Sequence, residues 1–107
     1  MKDPQIILRQ LKNHLIQNLG DSVKDVILFG SRIQDKTSDD SDYDVLILLN
    51  REYTGLDENK ILDLCYDIDL KFNILLDVHL LSTKELSSKR GRQPIYRNAI
   101  ESGVYAA

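Results

Sequence analysis

The sequence predicts an α+β fold of two layers, a small mixed β-sheet with helices packed mainly on one face. Two stretches repeat apolar residues at helical spacing: Ile7, Leu8, Leu11, Leu15 and Leu19, then Ile61, Leu64, Cys65, Ile68 and Phe72. Three short runs rich in Val, Ile, Leu and Phe, at residues 23–29, 42–49 and 74–81, read as strands. The middle run is apolar on both faces beyond its first residues, so both of its faces must be covered. With 107 residues and no Pro/Gly-rich linker, repeat or low-complexity tract, the chain reads as a single domain over 1–107.

The elements follow in order. Asp3 suits an N-cap and Pro4 the first helical position, and Gly20 is a good terminator, which predicts a helix over roughly 4–19. The first strand, 23–29, stops at Gly30-Ser31. The second, 42–49, opens on Asp42-Tyr43-Asp44. A second helix is expected over roughly 57–72, ended by Asn73. The third strand, 74–81, carries Asp77 and His79 within its apolar run. Ser82 and Glu85 form a capping-box pattern for a short helix. Pro94 opens a last helix, and Gly103 ends it before Val104-Tyr105, where there is room for one more short strand.

Composition removes several function classes. Fourteen Lys and Arg against seventeen Asp and Glu give a net charge of −3, which argues against a free-standing nucleic-acid binder. No apolar run approaches the ~18 residues of a membrane span, and the N-terminal residues lack a signal-peptide pattern. One cysteine, Cys65, excludes an internal disulfide, and no Cys/His spacing resembles a zinc site. A cytoplasmic, reduced protein is expected. The acidic excess is uneven: Asp35, Asp39, Asp40, Asp42 and Asp44 fall within ten residues, beside only Lys36.

Part of that cluster has a chemical reading. Residues i and i+2 of a strand share a face, so Asp42 and Asp44 lie side by side. Two adjacent ionised carboxylates repel, and a divalent cation relieves the conflict; hard oxygen ligands suit Mg²⁺ or Mn²⁺. The plainer alternative is a solvated acidic turn, since residues 37–41 are turn-like. Asp77 is a lone carboxylate in an apolar strand and needs a metal, a basic residue or several N–H groups as partner. If its strand neighbours the one bearing Asp42 and Asp44, three carboxylates converge, able to hold two metals about 3.5–4 Å apart. Leu28-Phe29-Gly30-Ser31 ends a strand in a turn whose free N–H groups and hydroxyl suit a phosphate. Gly30 precedes Asp42 by twelve positions, enough for a turn that returns the second strand beside the first.

Gly30-Ser31, the spaced Asp42-Tyr43-Asp44 and the later Asp77 resemble the signature of the DNA polymerase β-type nucleotidyltransferase superfamily. The size, the leading helix and the ending from Pro94 to Tyr105 are similar to its minimal, single-domain nucleotidyltransferases. The resemblance implies that Gly30 and Ser31 grip the triphosphate of ATP or another NTP. It also implies that Asp42 and Asp44 ligate two Mg²⁺ ions (or Mn²⁺), and that Asp77 completes the metal site and helps deprotonate an attacking hydroxyl. Many such proteins are antitoxins paired with a toxin of the higher eukaryotes and prokaryotes nucleotide-binding (HEPN) class, some transferring AMP to a toxin tyrosine. The expected function is therefore Mg²⁺-dependent transfer of NMP, most simply AMP, to a hydroxyl of a partner protein. The alternative is an antitoxin that neutralises its partner by contact alone. It is motivated by Gln34-Asp35, where the family often has Arg-Gly.

Other residues have simpler readings. Arg32 is placed either to contact phosphate or to cap a helix. His79 shares a strand face with Asp77 but is read as a packed or surface side chain, and Cys65 as core. Lys84, Lys89, Arg90, Arg92 and Arg97 form a basic, exposed run facing solvent, an acidic partner surface or nucleotide phosphates. Tyr53, Tyr96 and Tyr105 read as exposed.

Overall fold

A computed structural model describes residues 3–30 and 43–107. Helix α1 (Pro4–Leu19) has the predicted bounds, and its punctuation explains why. The Asp3 carboxylate accepts from the Gln5 N–H at 2.9 Å, Pro4 takes the first turn, and Gly20 at φ 62° closes the helix by donating its N–H to the Ile16 carbonyl. A 3-10 turn at Gly20–Ser22 leads into β1 (Val23–Phe29).

Strand β2 (Tyr43–Leu49) is followed by α2 (Gly55–Phe72), which begins two residues before its expected start. Its N-cap is Thr54, whose hydroxyl accepts from the Asp57 N–H while the Asp57 carboxylate accepts from the Thr54 N–H at 2.9 Å. This is a capping box with Asp in place of the usual Glu or Gln, so the Gly55 and Leu56 positions are helical despite the glycine. Asn73, in the left-handed region at φ 54°, ends α2 as expected. Strand β3 (Leu76–Ser82) begins later than its apolar run, because the Ile74 and Leu76 N–H groups close the end of α2 on the Asp69 carbonyl and carboxylate, both at 3.0 Å. The Glu85 carboxylate accepts from the Ser82 N–H at 3.0 Å, one arm of the expected capping box, over a single 3-10 turn (Thr83–Glu85). Helix α3 (Pro94–Ser102) ends at Gly103, and Val104–Tyr105 forms a short strand, β4.

The sheet order is β3-β2-β1-β4. β1 runs antiparallel to β2 and to β4, while β2 and β3 are parallel, joined by α2 as the crossover. Alternate residues of the central strands build two cores. Val26, Leu28, Val45 and Ile47 face α1 and α2. Ile27, Phe29, Leu46 and Leu48, with Leu81 of β3, face α3 through Tyr96 and Ala99. Every β2 residue except Asp44 is buried, the burial that its doubly apolar pattern requires. Among the described residues, no helix is long and apolar enough to cross a membrane.

The tyrosines depart from expectation. Tyr96 is only 7% exposed, because it sits on the inward face of α3 with the Arg90 guanidinium 5.3 Å from its ring centroid. Tyr53 is half-buried and donates its hydroxyl to the Leu80 carbonyl at 3.2 Å. Only Tyr105 of the three is exposed. The basic run Lys84, Lys89, Arg90, Arg92 and Arg97 is exposed throughout. Cys65 is core, and burial pushes its thiol up to about 12, keeping it protonated and unreactive.

The α2 cap makes a pH-dependent contribution. Hydrogen bonds from the Arg51 guanidinium, then from the Thr54 N–H, hold the Asp57 carboxyl down at about 2, below its ordinary 3.8. A carboxyl depressed in the folded state stabilises it above the unfolded value, and that stabilisation fades as pH falls from near 4 towards 2. Asp57→Asn should therefore lower the melting temperature at pH 7, and the gap to the wild-type protein should close across that acid window in a series of melts. A gap constant down to pH 2 would contradict this account.

Candidate active site

The site forms where β1 ends and β2 and β3 begin. Parallel pairing sets Tyr43 opposite Leu76 and Asp44 opposite Asp77. Opposed residues of paired strands share a face, so the two carboxylates project side by side. That face carries Leu46, Leu48 and Leu81 and is the one α3 covers, but α3 packs further along it. Asp77 is consequently open, with 53% of its side chain exposed, and Asp44 is partly buried.

Gly30 completes the edge. The last β1 residue, Phe29, pairs with Asp44, so Gly30 passes directly beside that carboxylate. Its φ of 84° lies in the left-handed region, and a Cβ here would overlap Asp44 Oδ2 and lie 3.3 Å from its Cγ. Glycine thus serves twice: it permits the turn and it leaves space in front of the carboxylate.

His79 is the component that sequence reasoning missed. It follows Asp77 by two residues on the same strand face, and its Nε2 lies 3.6 Å from Asp77 Oδ2. The ring packs against Phe29, with centroids 5.4 Å apart and planes tilted by 57°. One ligand atom from each of Asp44, Asp77 and His79 lies within 4.8 Å of the others. The period-2 pairing of Asp77 with His79 was the available signal; the closeness of Asp44 to both depends on a strand pairing across more than thirty residues. Of the other expected site residues, Ser31, Arg32 and Asp42 lie outside the described residues.

Two carboxylates and an imidazole form a donor set for a divalent cation: oxygen ligands for a hard ion, with one borderline nitrogen. The space kept open at Gly30 and the cluster of donor atoms both fit such an ion.

Among the described residues, a four-stranded mixed sheet gathers two carboxylates beside a strand-end glycine, an arrangement able to hold a divalent cation for phosphoryl or nucleotidyl transfer. Residues 9–101 match the family model for polymerase beta nucleotidyltransferases, and the chain belongs to that family. It is similar to two proteins of the archaeon Methanocaldococcus jannaschii. One, named "Putative protein adenylyltransferase MJ0604", is 27% identical over 96 residues, 90% of each chain. The other, named "Putative protein adenylyltransferase MJ0141", is 34% identical over 70 residues, 65% of this chain and 71% of its own.

Proposed function

We propose that this nucleotidyltransferase moves AMP from ATP to a hydroxyl of a partner protein in the cytoplasm, as the antitoxin of a HEPN-type toxin. The observation that carries the reading is the register pairing of Asp44 with Asp77, two carboxylates brought beside the turn at Gly30. The names of the two archaeal relatives support adenylyl transfer to protein.

In this reading Asp42, Asp44 and Asp77 hold Mg²⁺, and the N–H groups at Gly30 and Ser31 orient the phosphates. Arg32 adds a positive charge to the binding of those phosphates. Bound there, Mg²⁺ offsets triphosphate charge and lowers the pKa of the acceptor hydroxyl. Asp77, open on the sheet edge, takes the proton as the acceptor oxygen attacks the α-phosphorus. The new O–P bond forms as the bond to the β-phosphate oxygen breaks, and pyrophosphate leaves. The neutral and acidic residues Gln34 and Asp35, just past the phosphate turn, favour a second reading in which the fold neutralises its partner by contact alone.

Calorimetric titration with ATP, with and without Mg²⁺, separates the two. Mg²⁺-dependent binding, together with labelling of a co-purified partner by α-labelled ATP, is expected for the enzyme. Absence of binding at millimolar ATP would discard transfer and leave the contact module.

A further inference from the structure

We propose that His79 is a third ligand of the Asp44–Asp77 metal site and that its nitrogen biases this site towards Mn²⁺ over Mg²⁺. The inference rests on the metal-binding reading above and adds to it a residue and a metal preference.

His79 Nε2 is buried and, among the described residues, has no hydrogen-bond partner. A buried polar atom left unpaired costs free energy, so such an atom calls for a partner of another kind. Asp77 does not fill that role: at 3.6 Å its Oδ2 is beyond hydrogen-bonding range of the imidazole nitrogen. Nε2 lies 3.6 Å from Asp77 Oδ2, and one ring nitrogen of His79 lies within 4.8 Å of carboxylate oxygens of both Asp44 and Asp77, the spacing of one coordination sphere. Ligands on opposite sides of an ion bound at about 2.1 Å are about 4.2 Å apart. The donor atoms of Asp44, Asp77 and His79 all lie within 4.8 Å of one another, so small side-chain rotations bring them onto a common centre.

The ring is also held for the task. Phe29 packs against one side of the imidazole, and Phe29 belongs to the core under α3, so the ring is restrained by packing. Adjacent residues on one strand face are about 6.6 Å apart along the strand at ~3.3 Å per residue. The imidazole must therefore lean along β3 towards Asp77 to reach it, and the 3.6 Å approach shows that it does. The chemical consequence follows from ligand softness. Carboxylate and water ligands suit Mg²⁺ and Mn²⁺ alike, whereas an imidazole nitrogen adds affinity for a transition-metal ion such as Mn²⁺ that the harder Mg²⁺ does not gain.

The test is pulsed electron paramagnetic resonance of the full chain loaded with Mn²⁺, without nucleotide. Echo-envelope modulation from a directly bound imidazole ¹⁴N is expected, and it should change to the ¹⁵N pattern when the protein carries ¹⁵N-histidine. His79→Ala should lose the modulation and bind Mn²⁺ about ten-fold or more weakly, with Mg²⁺ affinity changed less. His79→Asn provides a second variant of similar polarity, and the wild-type spectrum decides the matter even if both variants fold poorly. Mn²⁺ bound at Asp44 (sensitive to Asp44→Asn) but without nitrogen modulation overturns the role of His79 and leaves the carboxylate site standing. Failure of the wild-type chain to bind Mn²⁺ at all overturns the underlying metal reading, and the ligand role with it.

Discussion

Asp44→Asn is expected to reduce nucleotidyl transfer by about 10²–10³-fold or more, the scale seen when one pre-positioned electrostatic group is removed from a reaction centre. Asparagine keeps the shape of the side chain, so the β2 register with Phe29 and Asp77 should persist. What is lost is one negative charge next to another. Each protein is therefore read against its own metal-free melt. The cation and nucleotide should separate them. A ligand present at a hundred times its dissociation constant stabilises a protein by about 2.7 kcal/mol. In a chain of this size that raises the melting temperature by roughly 10–20 °C. Wild-type protein should show such a rise with Mg²⁺ and ATP, and Asp44→Asn should show little of it. Transfer at wild-type rate by the variant would remove Asp44 from the metal site.

The elements bounded by their own residues were legible in the sequence. Helix α1 runs from Pro4 to Leu19 because Asp3, Pro4 and Gly20 are strong local signals, and β1 matches for a similar reason, stopping at a glycine. The α2 start was displaced because Gly55 reads as a breaker, while the bonds that override it run from Thr54 to Asp57 and on to Arg51. Tyr96 was misread because nine residues of helix between a proline and a glycine do not reveal which face meets a sheet. The site shows the same division. The adjacency of Asp44 and Asp77 was an expectation conditional on strand order, and order is a non-local property. Only the parallel pairing of β2 with β3, carried across by α2, sets the two carboxylates opposite each other. His79 shared a face with Asp77 on any strand reading, but a single histidine carries no signal until Asp44 and Phe29 are brought beside it.

Gly30→Ala should damage both stability and transfer, and a control at Gly20 separates the two effects. Each glycine has positive φ, 84° at Gly30 and 62° at Gly20, so alanine is strained at both. That strain amounts to about 1–2 kcal/mol for an L-residue in the left-handed region. In a chain of this size it lowers the melting temperature by roughly 4–8 °C for each kcal/mol. Around Gly20, however, an added Cβ meets nothing within 4 Å, whereas at Gly30 it overlaps the carboxylate of Asp44. To accept the methyl group, either Asp44 must rotate away from Asp77 or the end of β1 must withdraw from β2. Both movements displace Gly30 relative to the two carboxylates, which on the proposed function hold phosphates and metal, and misplacement by about 1 Å is enough to cost ~10²-fold in rate. Gly20→Ala should therefore melt lower yet transfer at nearly the wild-type rate below its melting temperature. Gly30→Ala should melt lower and also lose transfer and the stabilisation given by Mg²⁺ and ATP. Melting curves and labelling rates measured on the two variants side by side check this, and equal activity in both would mean that the close passage of Gly30 past Asp44 has no part in the chemistry.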